Sequence, residues 1–253
     1  MPLVPALVGF VLLATGPAGG TVWQGAIPPS VRPSVVYLPP QFTPARRYPV
    51  VFLLHGMPGA PDGFVHALRL ADTADGIGRP FIAVAPVAGP NAAYRGEWAG
   101  RWEDYVVRDV VPWVNSNLPV GPRTIAGISA GGFGAVDIAL RHPGLFRTVE
   151  SWGGYFAPFA DGPLQGESRQ QMQAHDPELL ARREAAKLRH VRFFLSSGPT
   201  HGDVLQSDTK RFGAELTGLR IRNVVWLLHT RKADWRAQLT QGLRYAVGAA
   251  ATS

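Results

Sequence analysis

The stretch Gly127-Ile128-Ser129-Ala130-Gly131 decides the predicted fold, because it places a serine at a sharp turn between two apolar segments. The preceding Thr124-Ile125-Ala126 is typical of a short buried strand, and residues 132–140 are typical of a helix with a glycine-rich first turn. A strand, the pattern G-x-S-x-G and a helix form a nucleophile elbow, a strained turn that presents the serine hydroxyl above a sheet. The pattern therefore predicts that Ser129 is a nucleophile.

A second motif, before the elbow in the chain, predicts an oxyanion-binding site next to Ser129. Residues 50–54 are an unbroken apolar run that leads directly into His55-Gly56-Met57. In α/β-hydrolases the loop after such a strand gives one oxyanion-binding amide, and the residue after the nucleophile gives the other. Here those amides belong to Met57 and Ala130. His55 is then expected to be structural rather than the general base.

From residue 34 onward the chain alternates between predicted strands and helices. Strands are predicted at 34–38, 50–54, 81–87, 124–126, 146–152, 191–196 and 223–229, and helices at 64–74, 103–118, 132–140, 207–219 and 234–249. Alternation of this kind predicts an α/β-hydrolase fold with a mostly parallel sheet and helices on both faces. One domain over residues 33–250 is expected, with a polar, helix-prone insertion around residues 161–190 that lies over the active site as a small lid.

Composition excludes several classes of site. The chain of 253 residues has no cysteine, which excludes disulfides, thiol catalysis and cysteine-bound metals. Its net charge is +7, and the densest basic stretch, residues 182–192, also contains an acidic side chain and reads as a solvated helix face rather than a nucleic-acid patch. No nucleotide or metal motif is visible, so we predict no cofactor, no metal and no nucleic-acid partner. Association with a membrane or with cell-envelope polymers stays open.

The N-terminal segment predicts export. No charged side chain precedes Arg32, residues 3–14 are apolar, and small residues follow at 15–20. Such a run is short for a membrane span and fits the apolar region of a signal peptide, although the usual basic start is missing. Residues 1–20 are therefore predicted to be a signal-peptide-like segment or a membrane anchor. The alternative, a buried N-terminal helix, is disfavoured by the prolines and glycines.

Further motifs carry a resemblance to a known family. They are Tyr48-Pro49-Val50-Val51-Phe52-Leu53-Leu54-His55-Gly56, Trp102-x-Asp104, Val111-Pro112-Trp113-Val114, Leu140-Arg141-His142-Pro143 and Gly153-Gly154-Tyr155-Phe156. Together with the elbow, they resemble the esterase D and antigen 85 family of α/β-hydrolases over residues 33–248. The resemblance implies a serine esterase or acyltransferase that acts on small-molecule or lipid (thio)esters through an acyl-Ser129 intermediate.

The acid of the triad is expected after the strand at 191–196, because in this fold the order along the chain is serine, acid, histidine. The loop there ends in Asp203, which is the first candidate, and Asp208 is the second. The alternative for Asp203 is a capping role at the start of the following helix.

The catalytic histidine is missing from its expected place. The family pattern after the last strand is Gly-His-Asp-Trp or a near variant, and this chain has Ala233-Asp234-Trp235, so Ala233 occupies the vacated position. Without an imidazole, no group takes the proton of the nucleophile. Three explanations remain open: His229 or His201 substitutes as the base, the chain is a natural pseudoenzyme of the cell envelope that binds a ligand without turnover, or Ala233 is an introduced substitution.

Six aromatic side chains are expected in or near loops that border the site, where they would form an acyl or aryl pocket or serve as ordinary packing. They are Trp98, Trp102, Trp152, Tyr155, Phe156 and Trp235.

Overall fold

A computed structural model describes residues 7–89, 94–199, 204–229 and 234–248 of the chain. The strands are β1 (Val11–Thr15), β2 (Thr21–Ala26), β3 (Pro33–Leu38), β4 (Tyr48–Leu54), β5 (Ile82–Ala85), β6 (Val120–Ile128), β7 (Thr148–Trp152), β8 (Arg192–Ser197) and β9 (Arg222–Leu227). The helices are α1 (Gly63–His66), α2 (Leu70–Asp75), α3 (Arg101–Asp104), α4 (Val111–Asn117), α5 (Ala130–Arg141), α6 (Arg169–Gln173), α7 (Pro177–Glu184), α8 (Val204–Gly218) and α9 (Trp235–Gly248).

One sheet contains all of these strands in the order β1-β2-β3-β5-β4-β6-β7-β8-β9. The six strands from β5 to β9 run parallel, and β1, β2 and β3 join them as an antiparallel extension. Val50, Phe52 and Leu54 of β4 face one core, and Val51 and Leu53 face the other. A strand covered on both faces by helices is apolar at every position, which explains the unbroken run in the sequence. The predicted α/β-hydrolase fold is confirmed.

Two predicted helices differ from the observed ones. The helix predicted at 64–74 is divided into α1 and α2 by Arg69, whose backbone is left-handed with φ of 50°. The helix predicted at 103–118 is continuous, but a π-helical segment (Tyr105–Val110) separates α3 from α4. Pro112 has no amide hydrogen and cannot donate to the preceding turn, and a π-helical stretch is a common local adjustment next to such a gap.

The N-terminal segment contributes to the sheet. Residues 11–15 form the edge strand β1, which pairs with β2 across a turn closed by the Gly16 amide on the Gly20 carbonyl at 2.7 Å. Val11 on this strand remains 66% exposed. The alternative of a buried N-terminal helix is therefore wrong for these residues, because their backbone groups pair with a neighbouring strand. Residues 1–6 lie outside the described part of the chain, and export stays a prediction.

No helix within the described residues is long and apolar enough to cross a membrane.

The insertion at 161–190 packs against the outer side of α5. His175 Nδ1 lies 2.6 Å from Asp137 Oδ2 on α5, and the Arg141 guanidinium donates to the Ala174 carbonyl at 2.7 Å. Helix α7 also contacts α5 and α8. Polar side chains on α5 thus hold the insertion beside that helix, and its role as a lid over the active site stays a prediction.

One buried carboxyl makes stability depend on pH. Glu150 on β7 is fully buried and accepts a hydrogen bond from Trp152 Nε1 at 3.0 Å. Burial raises the pKa of Glu150 well above its ordinary value of 4.5. Above pH 4.5 the unfolded chain releases this proton while the folded chain keeps it, so folding stability falls as the pH rises towards the folded pKa.

Glu150→Gln keeps an acceptor for Trp152 and removes the titration. We expect the loss of unfolding free energy between pH 5 and pH 8, measured by urea denaturation, to be smaller in the variant than in the parent chain. An equal loss in both proteins would show that Glu150 does not cause it.

Candidate active site

Ser129 lies at a strained turn between β6 and α5. Its φ and ψ are 53° and −115°, its amide donates to the Trp152 carbonyl at 2.9 Å, and its carbonyl accepts from Gly132 at 2.8 Å. A serine at the start of a helix normally uses its hydroxyl to cap the first amides. The Ser129 hydroxyl makes no such bond. The predicted elbow is therefore present, with a strained backbone and a hydroxyl that helix capping does not occupy.

Close backbone contacts explain the two flanking glycines. A Cβ atom at Gly127 would overlap the carbonyl of Gly131, and one at Gly131 would overlap the carbonyl oxygen of Leu54 on β4. Each glycine thus lets the elbow pack against a neighbouring strand or turn. The spacing G-x-S-x-G follows from these two contacts.

Releasing the strain at Ser129 should stabilise the fold. Glycine tolerates positive φ without a steric penalty, so we expect Ser129→Gly to raise the unfolding free energy by about 1 kcal/mol relative to Ser129→Ala. Urea denaturation of the two variants measures this difference. Equal stability of both variants would mean that the backbone at this position is relaxed.

Two amides next to the elbow are free to bind an anion. Ala130 is the first residue of α5, where amides have no partner within the helix. Within the described residues, neither the Ala130 amide nor the Met57 amide donates a hydrogen bond. A Cβ atom at Gly56 would lie 3.4 Å from Ser129 Cβ, so the His55-Gly56 turn adjoins the elbow. These positions suit the predicted oxyanion site, which stays a proposal.

An apolar pocket of about 410 Å³ opens beside Ser129. Its volume lies in the range of ligand sites. None of the described residues that line it is an Asp, Glu, Lys or Arg. Burial lowers the pKa of His55 to about 4, so that imidazole is neutral at pH 7. The lining residues are His55, Gly56, Met57, Pro58, Gly59, Ala60, Gly63, Phe64, Ala67, Leu68, Ile128, Ser129 and Trp235.

The sequence predicted only part of this lining. Among the six aromatic candidates, only Trp235 lines the pocket. Trp98 is fully buried and supports the wall from behind, because its Nε1 donates to the His55 carbonyl at 3.0 Å. Phe64 and Leu68 were not predicted, because an apolar residue in or next to a short helix gives no signal that it faces a site rather than the core.

The structure leaves the acid and the base open. Asp203, His201 and Ala233 lie outside the described residues. Asp208 lies on α8 and forms an ion pair with Arg211 at 3.2 Å, so its carboxylate already has a partner on the same helix. His229 follows the end of β9 and is exposed. Within the described part of the chain, no histidine donates to or accepts from the Ser129 hydroxyl.

Glu103, Asp137 and His175 offer ligand atoms within 4.8 Å of one another and could hold a metal ion. However, Arg141 and His142 already donate to Glu103 at 2.7 and 2.8 Å. Burial alone would raise the pKa of Glu103, but these two hydrogen bonds keep it below its usual value. His175 Nδ1 lies 2.6 Å from Asp137 Oδ2, so both carboxylates of the cluster already have side-chain partners. We therefore assign this cluster to anchoring the insertion.

In the densest basic stretch, acidic side chains pair with Arg182, Arg183 and Lys187. Arg182 binds Glu215 at 2.7 Å, and Lys187 binds Glu184 at 2.8 Å. This pairing is typical of a solvated helix face, as the sequence predicted.

Comparison with known proteins identifies the group to which this site belongs. The sequence model of the family described as "Putative esterase" matches residues 28–246. An esterase of Mycobacterium tuberculosis is 31% identical over 130 residues, which cover 47% of this chain and 28% of that protein. Rat S-formylglutathione hydrolase is 29% identical over 154 residues, which cover 51% of this chain and 52% of the rat protein. The matches thus span at most about half the length of these curated relatives.

A solved structure supports the fold independently. An S-formylglutathione hydrolase from Agrobacterium tumefaciens superimposes with a TM-score of 0.73 at 17% identity, over 94% of this chain and 98% of that one. At an identity this low, the superposition shows a shared fold and nothing beyond it.

Proposed function

Because the chain belongs to the putative esterase family, we propose that it is a serine hydrolase or acyltransferase acting on carboxylic esters and thioesters through Ser129. The observation that carries the proposal is the strained Ser129 elbow, whose hydroxyl does not cap α5 and which lines an apolar pocket together with Met57. Strain at a serine is retained where the surroundings hold it in place, and such residues cluster at active sites.

The proposed reaction has two steps. The Ser129 oxygen attacks the ester carbonyl and gives its proton to a base, while the carbonyl oxygen becomes an oxyanion that the Met57 and Ala130 amides stabilise. The carbonyl then re-forms and the carbon–oxygen or carbon–sulfur bond to the leaving group breaks, while the base returns its proton to the departing alcohol or thiol. The product of this step is an acyl-Ser129. Water or an alcohol then takes the acyl group by the reverse sequence. Asp203 is the proposed acid, and Ala233 lies where the family has its base.

The pocket supports esters with an uncharged, apolar group. Its described lining contains no Asp, Glu, Lys or Arg side chain, and Met57, Phe64, Leu68 and Trp235 give it an apolar wall. A charged group placed there would lose its hydration without gaining an ion-pair partner. A formyl group would leave most of the 410 Å³ unfilled, so we propose larger acyl or aryl groups as ligands of this pocket.

Two phosphonate probes test this substrate class without requiring turnover. One is an octyl fluorophosphonate, and the other has the same chain ending in a carboxylate. We expect the octyl probe to label Ser129 at least about tenfold faster, because the carboxylate must be desolvated in the pocket. Ala67→Glu, which adds a charge to the lining, should slow octyl labelling. Ala214→Glu on the exposed face of α8 is the matched control. Equal rates for both probes would exclude this pocket as the acyl site.

A second candidate function is ligand binding without catalysis by a protein of the cell envelope. Ala233 at the expected histidine position favours it, as does the fact that no histidine of the described ranges contacts the Ser129 hydroxyl. Replacing Ala233 by histidine distinguishes the two functions, as argued in the Discussion. Export and attachment to a membrane or the cell envelope stay part of this proposal.

A further inference from the structure

His55 is a buried imidazole in the pocket wall. It is the first residue after β4 and is 4% exposed. The Trp98 ring packs edge-on against it at 4.9 Å between centroids, and Trp98 Nε1 donates to its carbonyl. These contacts fix the ring. Its two nitrogens have different surroundings: Nδ1 lies 3.1 Å from the Gly56 carbonyl oxygen, and Nε2 is buried without a hydrogen-bond partner.

These surroundings determine where the ring carries its proton. Burial lowers the pKa of His55 to about 4, so at pH 7 the ring is neutral and has a single N–H. If that proton were on Nε2, a buried donor would be unpaired and the Nδ1 lone pair would face the lone pairs of a carbonyl oxygen. The proton on Nδ1 instead gives one hydrogen bond, from Nδ1 to the Gly56 carbonyl.

That bond fixes the orientation of one peptide plane. The bond between Gly56 and Met57 is not among the cis peptide bonds of the described residues, so its carbonyl and its N–H point in opposite directions. Holding the Gly56 carbonyl towards the imidazole therefore turns the Met57 N–H away from it. Met57 and Ser129 line one pocket, and the Met57 N–H has no partner within the described residues.

We infer that His55 is a positioning residue, which aims the Met57 amide at the oxyanion through the hydrogen bond from Nδ1 to the Gly56 carbonyl. The inference rests on the proposed function. It gives a chemical role to a histidine that is neither the base nor a surface group, and it predicts that only a donor at the Nδ1 position can replace it.

Two substitutions separate this role from packing. His55→Asn places an amide N–H near the position of Nδ1, and His55→Leu fills the space without a donor. We expect octyl fluorophosphonate to label Ser129 in His55→Leu about tenfold to a hundredfold more slowly than in the parent chain, and in His55→Asn within a few-fold of it. Thermal unfolding of both variants shows whether each is folded. Equal labelling rates in folded His55→Leu and parent, or no rescue in folded His55→Asn, would overturn the inference.

The tautomer gives a readout that does not depend on Ser129. The ¹⁵N shifts of labelled histidine, with His55 assigned by its loss in His55→Asn, should show an Nδ1–H and a bare Nε2. An Nε2–H would overturn the inference even if every variant is labelled as expected. If Ser129 is not labelled even in Ala233→His, the proposed function fails, and the tautomer alone then tests the hydrogen bond from Nδ1 to the Gly56 carbonyl.

Discussion

Ala233→His should raise the hydrolysis of p-nitrophenyl esters by about a thousandfold or more over the parent chain, which should turn over little or none. The substitution restores an imidazole at the position where the family has its general base, directly before Asp234-Trp235. A base there removes the Ser129 proton during attack and returns it to the leaving group. The measurement is the initial rate of p-nitrophenol release by both proteins at equal concentration and pH.

The control is the same substitution without the nucleophile. Members of a catalytic unit are not additive, so Ser129→Ala combined with Ala233→His should lose the whole gain. If the parent chain is already a fast esterase and Ala233→His adds nothing, His229 or His201 is the base. If neither protein is active and side chains fill the pocket, the binding function is the correct one.

Fluorophosphonate treatment should modify Ser129 and no other side chain. Among the serines that the structure describes, Ser129 alone combines a strained elbow, a free hydroxyl and adjacent unpaired amides. Labelling is expected to be slow, because the base is missing, and to accelerate in Ala233→His. Peptide mapping by mass spectrometry locates the adduct.

Ser129→Ala should abolish the adduct in both the parent chain and the Ala233→His variant. Modification of a different serine, with Ser129 unmodified, would disprove the assignment of the nucleophile. If no adduct forms in the parent chain, the assignment of Ser129 as the nucleophile still holds. If no adduct forms in Ala233→His, the assignment fails.

The elbow could be predicted from sequence because its requirements are local. A side chain at Gly127 would clash with Gly131, and one at Gly131 would clash with Leu54 of the neighbouring strand. The apolar strand before the turn and the apolar helix after it show where the turn lies. The same holds for the run at 50–54, where every residue is apolar because helices cover both faces of the sheet. Features that depend on such local contacts can be predicted from the sequence.

Features that depend on distant contacts were not predictable. Nothing in Leu68-Arg69-Leu70 signals the left-handed residue that divides α1 from α2, because it contains neither glycine nor proline. The apolar residues 11–15 match a leader segment as well as an edge strand, and only pairing with β2 distinguishes the two. The insertion is held beside α5 by the contact between His175 and Asp137, which are 38 residues apart, and no local pattern predicts such a pairing.

The nucleophile and the proposed oxyanion amides follow two central, paired strands, since Leu54 of β4 lies opposite Gly127 of β6. The base position instead follows β9, the last strand of the sheet. The nucleophile and the oxyanion amides are thus placed by the centre of the sheet, while the residue at the base position is placed by its edge. Catalysis in such a scaffold can be switched off by one substitution with little effect on expression or thermal stability. Relatives without the histidine would then express and unfold like active esterases, and only an activity assay would distinguish the two groups.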